Sequence, residues 1–270
     1  LRVGLISDLH LDINRIPIED AVKIQADYLL QQQVDLYLIA GDITNYFDQS
    51  LAFVKQLQQA LAPRQVRFIA GNHDMLHDRS YAALEAPGDL TYLHNQFIDL
   101  PGTDWRVIGN NGWYDYQFAD NLTGRDFLTW KRAFWVDATI KQPMTDPERM
   151  DRVLDQTRHQ LDAAKAADKR VFFMTHFAPV RDYIRYTDDD RFWNMANALM
   201  GSPRLGALLE SYGVEHVLFG HLHQHHGPLV KGNTEYLNQA LGYHKRRVNE
   251  WQQSDFATEW VQRLRVIELK

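Results

Sequence analysis

Five short stretches of the chain bring carboxylate, amide and imidazole groups to the ends of apolar runs. Gly71-Asn72-His73-Asp74 follows Val66, Phe68 and Ile69. A glycine lets the backbone turn sharply there. After it come an oxygen donor, a group that exchanges protons near neutral pH, and an acid placed to orient that group. Asp8-Leu9-His10 follows Val3-Gly4-Leu5-Ile6, and if extended geometry persists the two side chains point to the same side. Gly41-Asp42 follows Leu36 to Ala40, Thr175-His176 follows Val171 to Met174, and Gly220-His221-Leu222-His223 follows Val217 to Phe219. Oxygen and imidazole donors together suit a hard or borderline divalent cation. Any one block also fits a polar turn after a core strand; the repetition is what points to chemistry.

The elements that must position these groups alternate. Helical periodicity over Glu19 to Gln33 and over Gln49 to Leu61 separates the first three strands. The strand ends recur at about thirty-residue intervals, the length of a strand–helix–strand unit. Right-handed crossovers would lay the strands parallel, so that Asp8, His10, Asp42, Asn72 and His73 converge at one edge, where open α/β sheets bind ligands. Beyond Met75 the pattern loosens. Leu90 to Leu100 and Trp105 to Ile108 read as strands about a Pro101-Gly102 turn. Trp113 to Trp135 is dense in aromatics, and residues 113–146 read as an insertion or cap within one domain spanning 1–270. Glu148 to Ala167 is a charged amphipathic helix, another helix lies near Leu205 to Tyr212, and Asp188 to Asp190 is a solvated loop. Tyr236-Leu237 and Val261 to Leu269 read as closing strands of a second layer.

Composition narrows the function classes. Hydrophobic residues make up 45% and charged residues 24% of 270, an ordinary globular balance. No apolar run approaches the roughly 20 residues of a membrane helix, and Leu1 to Ile6 is too short for a signal peptide. Without cysteine there is neither disulfide nor thiolate ligand, which fits a cytoplasmic protein. A net charge of −6 makes nucleic acid an unfavoured partner.

Taken in order, the five blocks resemble those of the calcineurin-like metallophosphoesterases, and the likeness covers nearly the whole chain except the aromatic insertion. The resemblance implies a four-layer α/β/β/α sandwich of two mixed sheets flanked by helices, with two divalent metals, manganese, iron or zinc, at the sheet ends. Carried over block by block, Asp8, His10, Asp42 and His223 would hold one metal. Asp42, Asn72, His176 and His221 would hold the other, Asp42 bridging. It implies hydrolysis of a phosphate mono- or diester by a bridging hydroxide, a nuclease or a non-catalytic scaffold of the same fold being the alternatives. The block Gly41-Asp42-Ile43-Thr44-Asn45 lacks the Asp-Arg-Gly continuation of the Ser/Thr protein phosphatases, which argues against that branch.

His73 is then expected to protonate the leaving group, with Asp74 orienting its ring; the other reading is a hydrogen-bonder that only shapes the pocket. Asn45 and Asp12 are candidates for the surrounding shell. The insertion either covers the metals and stacks on a flat leaving group such as a nucleobase, or forms a small core of its own. Arg125, Lys131 or Arg132 are its candidate phosphate-holding residues. The expected partner is a small phosphate ester, a nucleotide among the options.

Overall fold

In the computed structural model, which describes residues 1–86, 88–188 and 192–270, strands and helices alternate through the first part of the chain. They are β1 (Arg2–Ile6), α1 (Ile18–Gln31), β2 (Leu36–Ala40), α2 (Phe47–Leu61), β3 (Gln65–Ile69) and the short α3 (Tyr81–Glu85). Next come β4 (Gln96–Asp99), β5 (Trp105–Gly109), α4 (Phe127–Phe134) and the long α5 (Asp146–Ala166). The rest is β6 (Arg170–Met174), α6 (Trp193–Ala196), α7 (Pro203–Ser211), β7 (His216–Phe219), β8 (Leu229–Lys231), β9 (Thr234–Asn238), α8 (Phe256–Arg263) and β10 (Arg265–Glu268).

The strands form two mixed sheets, ordered β10-β1-β2-β3 and β4-β5-β6-β7-β9-β8. β1, β2 and β3 are parallel, as are β5, β6, β7 and β9; β10, β4 and β8 are antiparallel edges. Side chains alternate between two cores. Leu36, Leu38, Phe172 and Met174 point between the sheets, while Tyr37, Ile39, Val171 and Phe173 point outward beneath helices. That is why β2 is apolar throughout and buried at every position. On one outer face, Trp260 of α8 packs edge-on against Tyr28 of α1 and donates to the Tyr37 hydroxyl at 3.0 Å. Helices α5 and α7 cover the other. α5 starts sharply because Thr145 and Glu148 close a capping box ahead of Pro147.

Two expected strands are corrected. Val261 to Arg263 lies in α8, started by Asp255 accepting from the Thr258 N–H. The strand that follows borders β1, in the first sheet. Between Leu90 and Leu100 only Gln96–Asp99 pairs as a strand. Of the acidic run, Asp188 is exposed, and Asp189 and Asp190 lie outside the described residues.

Candidate metal centre

The carboxyl ends of the parallel strands from both sheets meet along one edge. β1 ends at Ile6, and Asp8 and His10 take left-handed backbone with φ of 56° and 44°, as do Asp42 at 57° and His221 at 66°. Extended geometry therefore stops before Asp8; a tight turn, not a shared strand face, brings Asp8 and His10 together. Such conformations cost about 1–3 kcal/mol each unless their surroundings impose them. Here they are imposed. The Asp8 and His10 N–H groups donate to the Gly41 and Asp42 carbonyls, both at 2.9 Å. His221 N–H donates to the Asp8 carboxylate at 3.0 and 3.1 Å, and His73 N–H to Asp42 Oδ1 at 2.8 Å. The strand-end glycines leave room for the carboxylates: a Cβ on Gly71 would lie 2.1 Å from Asp42 Oδ1, and one on Gly220 2.4 Å from Asp8 Oδ2.

The seven residues expected as ligands come together as two clusters about Asp42. In the first, His223 Nε2 stands 3.2 Å from Asp8 Oδ1 and 3.1 Å from His10 Nε2, and His10 Nε2 stands 3.7 Å from Asp42 Oδ2. In the second, Asn72 Oδ1 lies 3.1 Å from His176 Nε2 and 3.0 Å from His221 Nδ1, and His176 Nε2 lies 3.4 Å from Asp42 Oδ2. The far nitrogens of two imidazoles are already engaged. His176 Nδ1 donates to the Ala40 carbonyl and His223 Nδ1 to Glu250 Oε2, both at 2.8 Å. Their Nε2 atoms are thus turned inward, the arrangement that orients a metal-binding histidine. Inward-facing oxygens and imidazole nitrogens at these separations fit divalent cations held by nitrogen and oxygen.

The electrostatics agree. Burial pulls His10 and His221 below the ordinary imidazole range, His221 to about 3, so both keep a lone pair at neutral pH. Burial opposes charge on His176 and His223 too, but Asp42 beside the first and Asp8 and Glu250 beside the second raise them to about 9 and about 10. Positive charge is strongly favoured next to these carboxylates.

His73 lies beside Asp42 with both ring nitrogens occupied: Nδ1 is 2.6 Å from Asn45 Oδ1 and Nε2 is 3.0 Å from the Tyr243 hydroxyl. Asp74 does not orient that ring, contrary to expectation. It is fully buried and faces the other way, accepting from the N–H groups of Gly71, Asp42, Ile43 and Thr44 and from the Ser50 hydroxyl. The helical turn from His73 sends successive side chains in different directions, so the acid ties the Gly41 and Gly71 loops together. Asn45 holds His73 instead, and Asp12 holds the Asn45 N–H at 3.0 Å.

Residues the sequence did not single out complete the site. Tyr243 and Glu250 follow β9, whose end carries no acid or histidine to announce it, although Gly242-Tyr243 repeats the pattern of glycine after an apolar stretch. The Tyr243 ring lies 4.5 Å, centroid to centroid, from both His10 and His223. Asp137 of the insertion accepts from Asn72 Nδ2 at 2.7 Å, and burial raises its carboxyl. The insertion divides. Trp113, Tyr114 and Phe118 are fully buried, and Lys131 is spent on Asp146 at 2.8 and 2.9 Å, so it is not a phosphate-holding residue. Trp135 and Val136 instead line a cavity of about 460 Å³ that opens over His73, Tyr243 and His221, with Trp193 and Lys245 at its wall.

A two-sheet α/β sandwich with an aspartate, asparagine and histidine centre at its strand ends defines a metallophosphoesterase. The chain belongs to the calcineurin-like phosphoesterase family, whose model matches residues 1–225. Its fold is similar to that of a phosphopantetheinyl hydrolase from Mycobacterium tuberculosis, at a TM-score of 0.68 and 16% identity over 98% of this chain and 95% of that one. A dimetal phosphatase from Danio rerio is similar at a TM-score of 0.50 and 14% identity, covering 88% and 86%. At such identities the likeness is one of fold. No match is found among curated proteins. No helix among the described residues is long and apolar enough to cross a membrane.

Proposed function

We propose that this protein hydrolyses a small phosphate ester at a dinuclear metal centre in which Asp42 is shared. The observation that carries the reading is the pair of clusters on either side of Asp42, with His10 Nε2 at 3.7 Å and His176 Nε2 at 3.4 Å from the same Oδ2. Asp8, His10, Asp42 and His223 would hold one cation, and Asp42, Asn72, His176 and His221 the other; manganese, iron and zinc all suit the donors. A pair of cations held there would supply an activated water and neutralise the phosphoryl oxygens. The protein's own part is to place the ester and manage the leaving group. Asn45 accepts from His73 Nδ1–H, which leaves Nε2 as the nitrogen that delivers a proton on the cavity side. Tyr243 meets that nitrogen at 3.0 Å. The cavity has an apolar wall of Trp135, Val136, Trp193 and Met200 and a cation at Lys245, a combination suited to an organic group that carries its own negative charge. A nucleotide fits that description, and so does a phosphopantetheinyl ester, the group named in the M. tuberculosis neighbour.

The test joins metal analysis to a panel of p-nitrophenyl, alkyl, nucleotide and phosphopantetheine esters. Wild-type protein should carry two metals. Asp42→Ala should lose both, and His10→Ala mainly one. His73→Ala should keep its metals and lose ~10²–10⁴-fold on alkyl esters, whose leaving oxygen is basic, and far less on p-nitrophenyl esters. Full double occupancy in Asp42→Ala would remove the shared aspartate, and equal losses on both ester types would remove the proton donor.

A further inference from the structure

The insertion touches the metal centre through one buried carboxylate. Asp137 sits in the single helical turn Val136–Thr139 and is fully buried. Its Oδ1 accepts from Asn72 Nδ2 at 2.7 Å; its Oδ2 makes no well-formed hydrogen bond among the described residues, the buried Tyr114 hydroxyl beside it being unpartnered too. A buried carboxylate with one oxygen bare weakens a fold, because the lost hydration is not made up. Packing alone would favour an apolar side chain here.

What Asp137 does for Asn72 explains its presence. The two ends of a carboxamide have nearly the same shape, one accepting and the other donating. Rotated by half a turn, Asn72 would aim N–H groups at His176 and His221. An acid oxygen accepts from the NH2 end, and so fixes Oδ1 at 3.1 Å from His176 Nε2 and 3.0 Å from His221 Nδ1. We propose that Asp137 is a positioning residue for the cation site formed by Asp42, Asn72, His176 and His221, locking the Asn72 amide with its oxygen inward. Segment 113–146 is then a structural part of one metal site, anchored beneath the cavity it helps to wall.

The inference rests on the dinuclear reading and is tested apart from it by titrating zinc into metal-stripped protein. Uptake of two zinc ions by wild type tests the reading itself; uptake of one or none strikes that reading before any variant is made. Given two, Asp137→Leu should bind one zinc as wild type does and the other ~10–100-fold more weakly, as when the partner of a ligand is removed. The loss should fall on one zinc only, which a purely structural residue would not produce; the metal-free melting temperature, in which relief of the bare oxygen and the stranding of Asn72 Nδ2 oppose each other, should move little. The exchange Asn72→Asp with Asp137→Asn reverses donor and acceptor, and should bind the second zinc far better than Asn72→Asp alone, which sets two acids against each other. This pair decides the matter should Asp137→Leu fail to fold. Unchanged zinc affinities in Asp137→Leu, or an exchange no better than Asn72→Asp, would overturn the proposal.

Discussion

Asp74 shows how a residue can belong to a site without touching its chemistry. Four backbone N–H groups and one hydroxyl converge on its carboxylate, and three of those N–H groups belong to Asp42, Ile43 and Thr44, the turn that carries the aspartate between the two clusters. Burial, and then the charge of Asp42, push the Asp74 carboxyl up to about 7, so at pH 8, where it is ionised, Asp74→Asn would set an NH2 group among donors and remove the charge that strengthens them. Charged hydrogen bonds contribute ~1.5–3 kcal/mol each, and a stranded buried donor costs ~1–3 kcal/mol. Denaturant unfolding of the metal-free protein should therefore lose about 3 kcal/mol or more, against about 1 kcal/mol for Ser50→Ala. A loss near zero, with activity abolished, would return Asp74 to the chemistry. The clustering of the seven expected residues was legible because each lies within a few positions of an apolar run that ends at the sheet edge. The role of Asp74 was not, since adjacency to His73 in sequence says nothing about direction once the chain enters a helical turn. Tyr243 and Glu250 were illegible for another reason: they reach His73 and His223 only through tertiary contact.

At the scale of elements, the insertion is organised about Asp146, which opens α5. Besides Lys131, it accepts from Trp113 Nε1 and Gln142 Nε2, each at 2.8 Å, and from the Tyr116 hydroxyl. The pair is closed off from solvent, with side-chain exposures of 7% and 2%. Removing one member of a buried ion pair costs ~3–5 kcal/mol, but the two sides here are unequal. Lys131→Ala leaves the acid three other donors, whereas Asp146→Ala strands an ammonium and those donors together. Thermal unfolding should show the larger fall in Asp146→Ala, and neither variant should change the preference among ester leaving groups. A change of preference in Lys131→Ala would restore it as a phosphate-holding residue. The central parallel strands of the two sheets read plainly from sequence because burial on both faces leaves uninterrupted apolar runs, whereas the exposed edges β4 and β8 do not. The stretch from Val261 misled because Val261 and Leu264 keep helical spacing while Leu264 and Val266 alternate, and the helix passes into the strand at Leu264 with no glycine or proline to mark the change.

Across the whole molecule, the sandwich is also pinned by polar contacts between distant segments. Glu85 of α3 meets His94 Nε2 at 3.1 Å and Gln156 of α5 at 2.7 Å, and His94 Nδ1 accepts from the Asn111 N–H at 3.1 Å just beyond β5. Burial would raise the Glu85 carboxyl, but the hydrogen bonds from His94 and Gln156 outweigh it and hold the group down to about 2. A carboxyl depressed on folding contributes stability that is complete above its unfolded pKa, near 4.5, and disappears as pH falls toward 2. Wild type should therefore exceed Glu85→Gln in unfolding free energy by up to about 3 kcal/mol at pH 6, with the gap narrowing steadily below pH 4.5. A gap independent of pH would show that the hydrogen bonds, and not the charge, matter. The parallel order of the first strands was legible from the spacing of strand ends, and the two-sheet sandwich from the family resemblance. The place of β10 was not, because an antiparallel edge strand joins by reach across the fold and leaves no periodic mark.

That edge strand has a consequence for how the protein comes into being. Of the ten strands among the described residues, the first is bordered by the last, with Arg2 opposite Glu268 and Leu5 opposite Arg265. Emerging from a ribosome, Asp8, His10, Asp42 and Asn72 appear long before His221, His223 and Glu250. The nascent chain thus carries an acidic half-centre and an open β1 edge through most of translation. Unpaired edges template wrong partners, and long-range pairings form slowly. On the dinuclear reading, capture of both cations would accordingly be a late event, after His221, His223 and Glu250 have emerged.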